Sequence, residues 1–353
     1  MNKFSSKNHY GRPKVGKTTY GNPSFTLQSK SPRIRSMSNS SLFAFFFSSL
    51  ILALPCFAQP GLYKKISPAC VEILVGGRLD GSGAIVCPSG LILTACHVIR
   101  KKSKKYEALS PHLGRKPLNL VATYRGSDMA LLALPQRETP YPALSLAKSI
   151  PAEGRPVFLL GSPIFRHHLL LSGTIARRSE SFSWYDGGFT NTIPISGIGA
   201  PGSSGGPWVN TKGEIIGIQV ASVTTEKGHQ GVSSAVPLHS IRRFLAKKKN
   251  LSVACIEAAV EELWGQSPHL ITKLKAETKG LLLRQVIRDG VAFKAGLRDE
   301  DLILEADGKS YVRIEPFLTM LRKKKPGSMI KLKIASVNGD NEREITLPTA
   351  SLN

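Results

Sequence analysis

The stretch Gly202-Ser203-Ser204-Gly205-Gly206-Pro207 limits what this chain can fold into more than any other. Three glycines around a serine pair allow backbone turns and close approaches that a residue with a Cβ resists, and the proline blocks a helix through the segment. The loop therefore reads as a fixed turn between ordered elements, with Ser204 presented on it. Around it run short apolar segments broken by Gly and Pro, such as 71–75, 84–86, 91–93 after the turn Pro88-Ser89-Gly90, and 129–134. That punctuation predicts many short antiparallel strands, hence a mainly β fold. A chain of 353 residues with 41% apolar content fills two ordinary cores, so two domains are expected.

Two upstream residues match a serine presented this way. Residues 91–97 read as a strand running into a helical turn, with His97 at the junction. Asp128 stands at the mouth of the apolar strand 129–134. A serine hydroxyl is a weak nucleophile at neutral pH. It needs a histidine as general base, and the histidine needs a carboxylate to fix its tautomer and stabilise the imidazolium. Singly, these are a core histidine, a turn-capping aspartate and a loop serine. Jointly, in this order and these contexts, they form the chymotrypsin arrangement rather than that of subtilisin. The amides of Gly202 and Ser204 would converge on one oxyanion. The strands are expected to close as two small barrels with the triad between them.

Residues 69–347 carry a more specific likeness. Gly81-Ser82-Gly83, the histidine segment 91–97, Ser127-Asp128-Met129-Ala130-Leu131-Leu132, the segment 157–163, Gly213 to Ile218 and Ser234 to Pro237 follow one another in order. Together they resemble the HtrA (Deg-type) serine proteases. The resemblance implies a two-barrel protease domain over 59–246 and an α+β PDZ domain over 247–353. It also implies an ATP-independent endopeptidase without cofactor or metal, assembled as a homotrimer and acting on unfolded or damaged envelope proteins. Ile218, Gln219, Val220 and Ala221, with Val232, Ser233 and Ser234, would edge its substrate pocket. With no acidic residue among them, a small or medium apolar side chain is expected before the scissile bond. One segment departs from the family: the acidic stretch usual before the nucleophile loop is replaced by residues 195–200.

The C-terminal signals are Gly280 to Ile287, Ala292 to Leu297 and Asp301 to Gly308, which resemble the body of a PDZ domain. A second helix over 314–321 and a late strand over 329–334 complete it. Such domains add a peptide as an extra strand and grip its terminal carboxylate with backbone amides. Leu251, Ser252 and Val253 are the counterpart of that carboxylate loop, which makes hydrophobic C-terminal peptides the expected ligand. Ser252 and Glu300 stand where the family has glycine.

The N-terminus reads as an address. Residues 1–36 hold eight Lys or Arg and no acid, an apolar run spans 42–54, and Cys56-Phe57-Ala58 suits cleavage before Gln59. Residues 1–58 are thus a basic leader and signal peptide for export to a periplasm or equivalent lumen, the alternative being an uncleaved anchor over 42–58. Gly11 to Thr18 matches a phosphate-loop string, but without a strand before it and a helix after it the match is coincidental. Cys70, Cys87, Cys96 and Cys255 allow up to two disulfides of undetermined pairing. The chain is basic, with a formal net charge of +24. Its Lys and Arg clusters suit an anionic membrane surface, and without interleaved aromatics they do not suit nucleic acid. Two competing functions fit the same residues: a chaperone-like peptide-binding protein with a latent protease site, and a membrane-tethered regulatory protease sensing peptides through the PDZ domain.

Overall fold

In the computed structural model, the described residues are 61–99, 105–185, 187–225, 228–274, 277–338 and 340–352. The leader, the possible anchor over 42–58 and the phosphate-loop string lie outside them. Helix α1 (Leu62–Ile66) leads into β1 (Cys70–Val75), β2 (Arg78–Ile85) and β3 (Leu91–Ala95). A single helical turn, α2 (Cys96–Ile99), follows, then β4 (Tyr106–Ser110), β5 (Gly114–Tyr124) and β6 (Met129–Ala133). These six strands close as a barrel in the order β1-β2-β3-β6-β5-β4. Its interior is aliphatic, with Ile73, Ile92, Leu93, Leu131 and Leu132 fully buried. Burial of that kind, at roughly 25 cal/mol per Å² of apolar surface, is the main force holding a small barrel shut.

The second barrel uses β7 (Pro156–Gly161), β8 (Leu169–Ile175), β9 (Ser181–Tyr185), β10 (Gly188–Gly197), β11 (Pro207–Val209), β12 (Ile215–Thr225) and β13 (Gly228–Pro237). The order is β13-β12-β11-β7-β8-β10, and pairing of β10 with β13 closes it. Strand β9 stands outside the ring as the partner of β10 in a projecting hairpin. Trp208, fully buried, fills this barrel with Val157, Leu159, Ile193 and Ile216. The mainly β, two-barrel chymotrypsin-like fold expected from the sequence is the observed one.

Helix α3 (Leu238–Lys247) buries Leu238, Ile241 and Phe244, residues at helical spacing on one face. A third, mixed lobe begins at β14 (Val253–Cys255) and β15 (Ala259–Glu262). It continues through α4 (Pro268–Ile271), β16 (Leu281–Arg284), α5 (Val291–Lys294), β17 (Leu302–Ala306), β18 (Lys309–Ser310), α6 (Ile314–Lys323), β19 (Met329–Ala335), β20 (Arg343–Pro348) and β21 (Ala350–Leu352). Its sheet runs β15-β16-β17-β19-β20, with β15 at an edge, and β14 pairs instead with β21. The core of the lobe is built on Phe317, Leu281, Leu283, Ile303, Ile330 and Leu332, all fully buried. No disulfide joins Cys70, Cys87, Cys96 and Cys255. Burial pushes the Cys70 and Cys255 thiols up from their ordinary range.

Candidate active site

Strand β3 ends where its backbone turns into α2, and this junction carries His97 at the barrel rim. Asp128 caps the turn 125–127 with its own backbone in the left-handed region, at φ 47°. That conformation is costly for a residue with a side chain and persists only where the surroundings enforce it. It aims the carboxylate back at the histidine. Oδ1 accepts the His97 backbone N–H at 2.9 Å, and Oδ2 lies 2.6 Å from His97 Nδ1. The Cys96 N–H donates to the Asp128 carbonyl at 3.0 Å. With Nδ1 thus committed to a nearly buried carboxylate, the lone pair of the neutral ring is left on Nε2. Tyr185, at the end of β9, stands edge-on to the imidazole with 5.7 Å between ring centroids.

Ser204 comes from the second barrel and lines the same open cleft as His97, a cavity of about 480 Å³. Its loop is stapled to the first barrel by one residue, Ser82 of β2. The Ser82 N–H donates to the Ser204 carbonyl at 2.7 Å, and its hydroxyl donates to the Gly202 carbonyl at 2.8 Å. The same Oγ accepts the Ser162 N–H at 3.1 Å, while the Ser82 carbonyl accepts the Thr94 hydroxyl at 2.7 Å. Gly202 has φ +99°, and a Cβ there would lie 2.3 Å from the Ser162 carbonyl oxygen. The Pro201 carbonyl is taken by the Ile164 N–H at 2.7 Å, which turns the Gly202 N–H to the opposite side of the planar peptide. Ser203 is fully buried and closes the turn on the Ala200 backbone.

The cleft wall differs from the expected set. Gln219, Ala221, Ser222, Thr224, His229, Gly199, Ala200, Pro201 and Ile164 line it. Ile218 and Val220 are a correction to the expected pocket: both point into the core, because side chains alternate across β12. Val232, Ser233 and Ser234 are not among the residues that line the cleft either; they pair with β10 where the barrel closes. The Gln219 amide accepts from Trp208 Nε1 at 2.7 Å and donates to the Ala221 carbonyl at 2.8 Å, so a neutral, fully bonded group forms part of the wall. The departing segment 195–200 ends β10 and then forms part of this wall through Gly199 and Ala200. The Gly199 carbonyl accepts the Ser222 hydroxyl at 2.7 Å.

The loop after β7 is anchored by Glu72 of β1. This buried carboxylate accepts the Ser162 hydroxyl at 2.6 Å and lies 2.6 Å from His167 Nδ1. His168 is buried beside them with Nε2 unpartnered, and burial lowers its pKa below the usual imidazole value. The roles of Ser82, Thr94, Ser162, Glu72 and His229 were not read from the sequence. A serine between two close-approach glycines, Gly81-Ser82-Gly83, was the available signal: a Cβ at Gly81 would lie 2.7 Å from the Ser204 carbonyl oxygen.

A second, much tighter cavity of about 20 Å³ lies where the third lobe meets the β9–β10 hairpin. Leu318, Leu321 and Arg322 of α6 wall it on one side, and Trp184 and Phe189 of the hairpin on the other. Leu251 and Ser252, expected to form the peptide groove, are not among its lining residues. The Leu251 N–H is spent on the Thr123 carbonyl of β5 at 3.0 Å, whereas Val253 does reach the cavity. The loop that borders the cavity between β14 and β15 instead contains Ile256, Glu257 and Ala258. Glu257 adopts φ 55°, and its carboxylate accepts the Val291 N–H at 2.8 Å.

Comparison with known proteins matches residues 81–218 to the trypsin-like peptidase domain family, a span that includes His97, Asp128 and Ser204. A probable periplasmic serine endoprotease, DegP-like, of Pseudomonas fulva is 30% identical over 261 residues, 72% of this chain and 52% of the relative. Its counterpart in Pseudomonas savastanoi pv. phaseolicola is 27% identical over 283 residues, 77% of this chain and 56% of the relative. The chain therefore spans about half the length of these curated relatives. Among solved structures, the HtrA-type protease AlgW with a tripeptide superposes with a TM-score of 0.59 at 22% identity. That match covers 84% of this chain and 98% of the other.

Proposed function

We propose that this chain, an HtrA-type trypsin-like serine protease, is an exported, ATP-independent endopeptidase that degrades unfolded or damaged envelope proteins. The observation that carries the reading is the His97–Asp128 pair, set at 2.6 Å on the rim of the cleft that also holds Ser204. In this reading Ser204 attacks the scissile carbonyl. His97 takes the hydroxyl proton through Nε2 and returns it to the leaving amine, while Asp128 holds the ring and stabilises its cation. The N–H groups of Gly202 and Ser204 receive the oxyanion, on a loop already fixed by Ser82 and Ile164, so little reorganisation accompanies the reaction. Among the described residues, those that line the cleft include no carboxylate, which favours small or medium apolar side chains over Lys or Arg before the cleaved bond. The third lobe is read as a PDZ domain and the assembly as a homotrimer. DegP-like relatives described as periplasmic support an extracytoplasmic location.

The test is incubation of the full chain with an unfolded casein-type substrate and a fluorophosphonate probe, beside Ser204→Ala. Both labelling and cleavage are expected in the wild type and lost by about 10⁶-fold in the variant, the scale of removing a triad nucleophile. A wild-type protein that neither labels nor cuts removes the enzyme reading. Cleavage dominated by Lys or Arg before the scissile bond removes the pocket reading alone.

A further inference from the structure

Asp128 is aimed by the turn before it, and that turn is held from the third lobe. Arg322, on the last turn of α6, reaches across the domain boundary. Its Nη2 donates to the Gly126 carbonyl and, at 3.0 Å, to the Phe189 carbonyl of β10. Nη1 donates to Asn191 Oδ1 at 3.1 Å, and the same oxygen accepts the buried Ser127 hydroxyl at 2.7 Å. Asn191 is fixed in turn by its own amide, which donates to Glu180 Oε2 at 2.9 Å and to Ser240 Oγ at 3.1 Å. The guanidinium plane also lies over Phe182, 5.4 Å from the ring centroid. A second group from the same lobe presses on the turn: a Cβ at Gly126 would stand 2.5 Å from Val253 Cγ2. Gly126 and Ser127 are thus gripped by Arg322, Val253 and Asn191 immediately before the left-handed Asp128.

We infer that Arg322 is a positioning residue for Asp128, so that the C-terminal lobe completes the catalytic geometry of the protease domain. The inference rests on the reading of Asp128 as the triad carboxylate. A planar guanidinium with several fixed donors suits three acceptors arranged around it, and a lysine ammonium offers only a point charge. Nothing in this role touches the substrate. Loss of the clamp should therefore relax the turn, misalign His97 and lower kcat while leaving KM nearly unchanged.

The experiment compares full-length wild type, Arg322→Met, Arg322→Lys and the neighbouring control Lys323→Met on one chromogenic peptide, with fluorophosphonate labelling rates and circular dichroism. Arg322→Met is expected to lose about 10²-fold in kcat and labelling rate with KM changed less than about threefold, the scale of a small misplacement in an active site. Arg322→Lys should recover only part of this, and Lys323→Met should match wild type. Wild-type kcat in a folded Arg322→Met, or a loss confined to KM, overturns the inference. If Arg322→Met does not fold, Arg322→Lys decides: wild-type kcat in it overturns the clamp, and a selective kcat loss supports it. A wild-type protein that neither labels nor cleaves overturns the triad reading instead, so the two failures are distinct.

Discussion

The cleft at Ser204 and the cavity at α6 are opposites. The cleft proposed as catalytic is open, and the Ser204 loop owes its shape to the absence of side chains: Gly202 sits where a Cβ would strike the Ser162 carbonyl. The cavity at α6 is closed, and it is closed by side chains. Trp184 and Phe189 of the protease hairpin meet there edge to face, 5.0 Å between centroids, and Trp184 Nε1 donates to Gln285 Oε1 at 2.6 Å. Leu352, from the C-terminal strand, adds another wall. Glu257 occupies a left-handed position in the bordering loop, and its carboxylate accepts the Val291 N–H at 2.8 Å. The first holds about 480 Å³, whereas the second, about 20 Å³, has room for little more than one water molecule.

The contrast is most sharply tested at its open end. Gly202→Ala forces a Cβ into the Ser162 carbonyl and displaces an oxyanion donor. Labelling and peptide hydrolysis are expected to fall by about 10²–10³-fold, the scale of losing one such donor. Activity close to wild type would show that the loop tolerates what its backbone argues against.

The closed end is tested by Trp184→Ala. Removing the indole opens the cavity, so a labelled peptide with an apolar C-terminus should bind the variant measurably tighter than wild type in fluorescence anisotropy. A stability loss of about 1–3 kcal/mol should accompany it. Equal affinities in the two proteins would mean that the hairpin does not obstruct the site.

The smallest effect lies behind the cleft, at His168. Burial lowers its pKa in the fold, beside Glu72, His167 and His112. The unfolded chain therefore takes up this proton first as pH falls. Stability is unaffected well above the ordinary imidazole value of about 6.5 and is lost progressively below it. Melting temperatures compared at pH 7.5 and 5.5 should drop less in His168→Phe than in wild type. Identical drops would place the acid sensitivity elsewhere.

The three residues proposed as the triad were legible because that chemistry allows few residue types and each sits at a local landmark: a strand end for His97, a strand mouth for Asp128, a glycine turn for Ser204. The strand positions followed as well, since 71–75 and 91–93 fall inside β1 and β3, and 129–134 overruns β6 by one residue. The pocket was half legible. Residues 218–221 do run past the cleft, but alternation along β12 gives Gln219 and Ala221 to the wall and Ile218 and Val220 to the core. Of the three residues expected to form the peptide groove, Val253 lines the cavity at α6 and the other two do not. Leu251 and Ser252 look like a loop entering a strand, and nothing local shows that Leu251 is bound to β5 of the first barrel while Ile256 and Ala258 reach the cavity.

By itself, then, the sequence determined what depends on residue identity over a few neighbours: the Ser204 loop, the order of His97, Asp128 and Ser204, the strand-rich barrels and the helices α5 and α6 of the last lobe. Only the tertiary structure decided which distant groups share a site. Ser82 meets Gly202 across 120 residues, Arg322 meets Gly126 across 196, and Trp184 meets Gln285 across 101. Each of these contacts is a hydrogen bond whose partners are brought together by barrel closure and apolar burial elsewhere. A short-range pattern therefore carries no trace of it until the cores have formed.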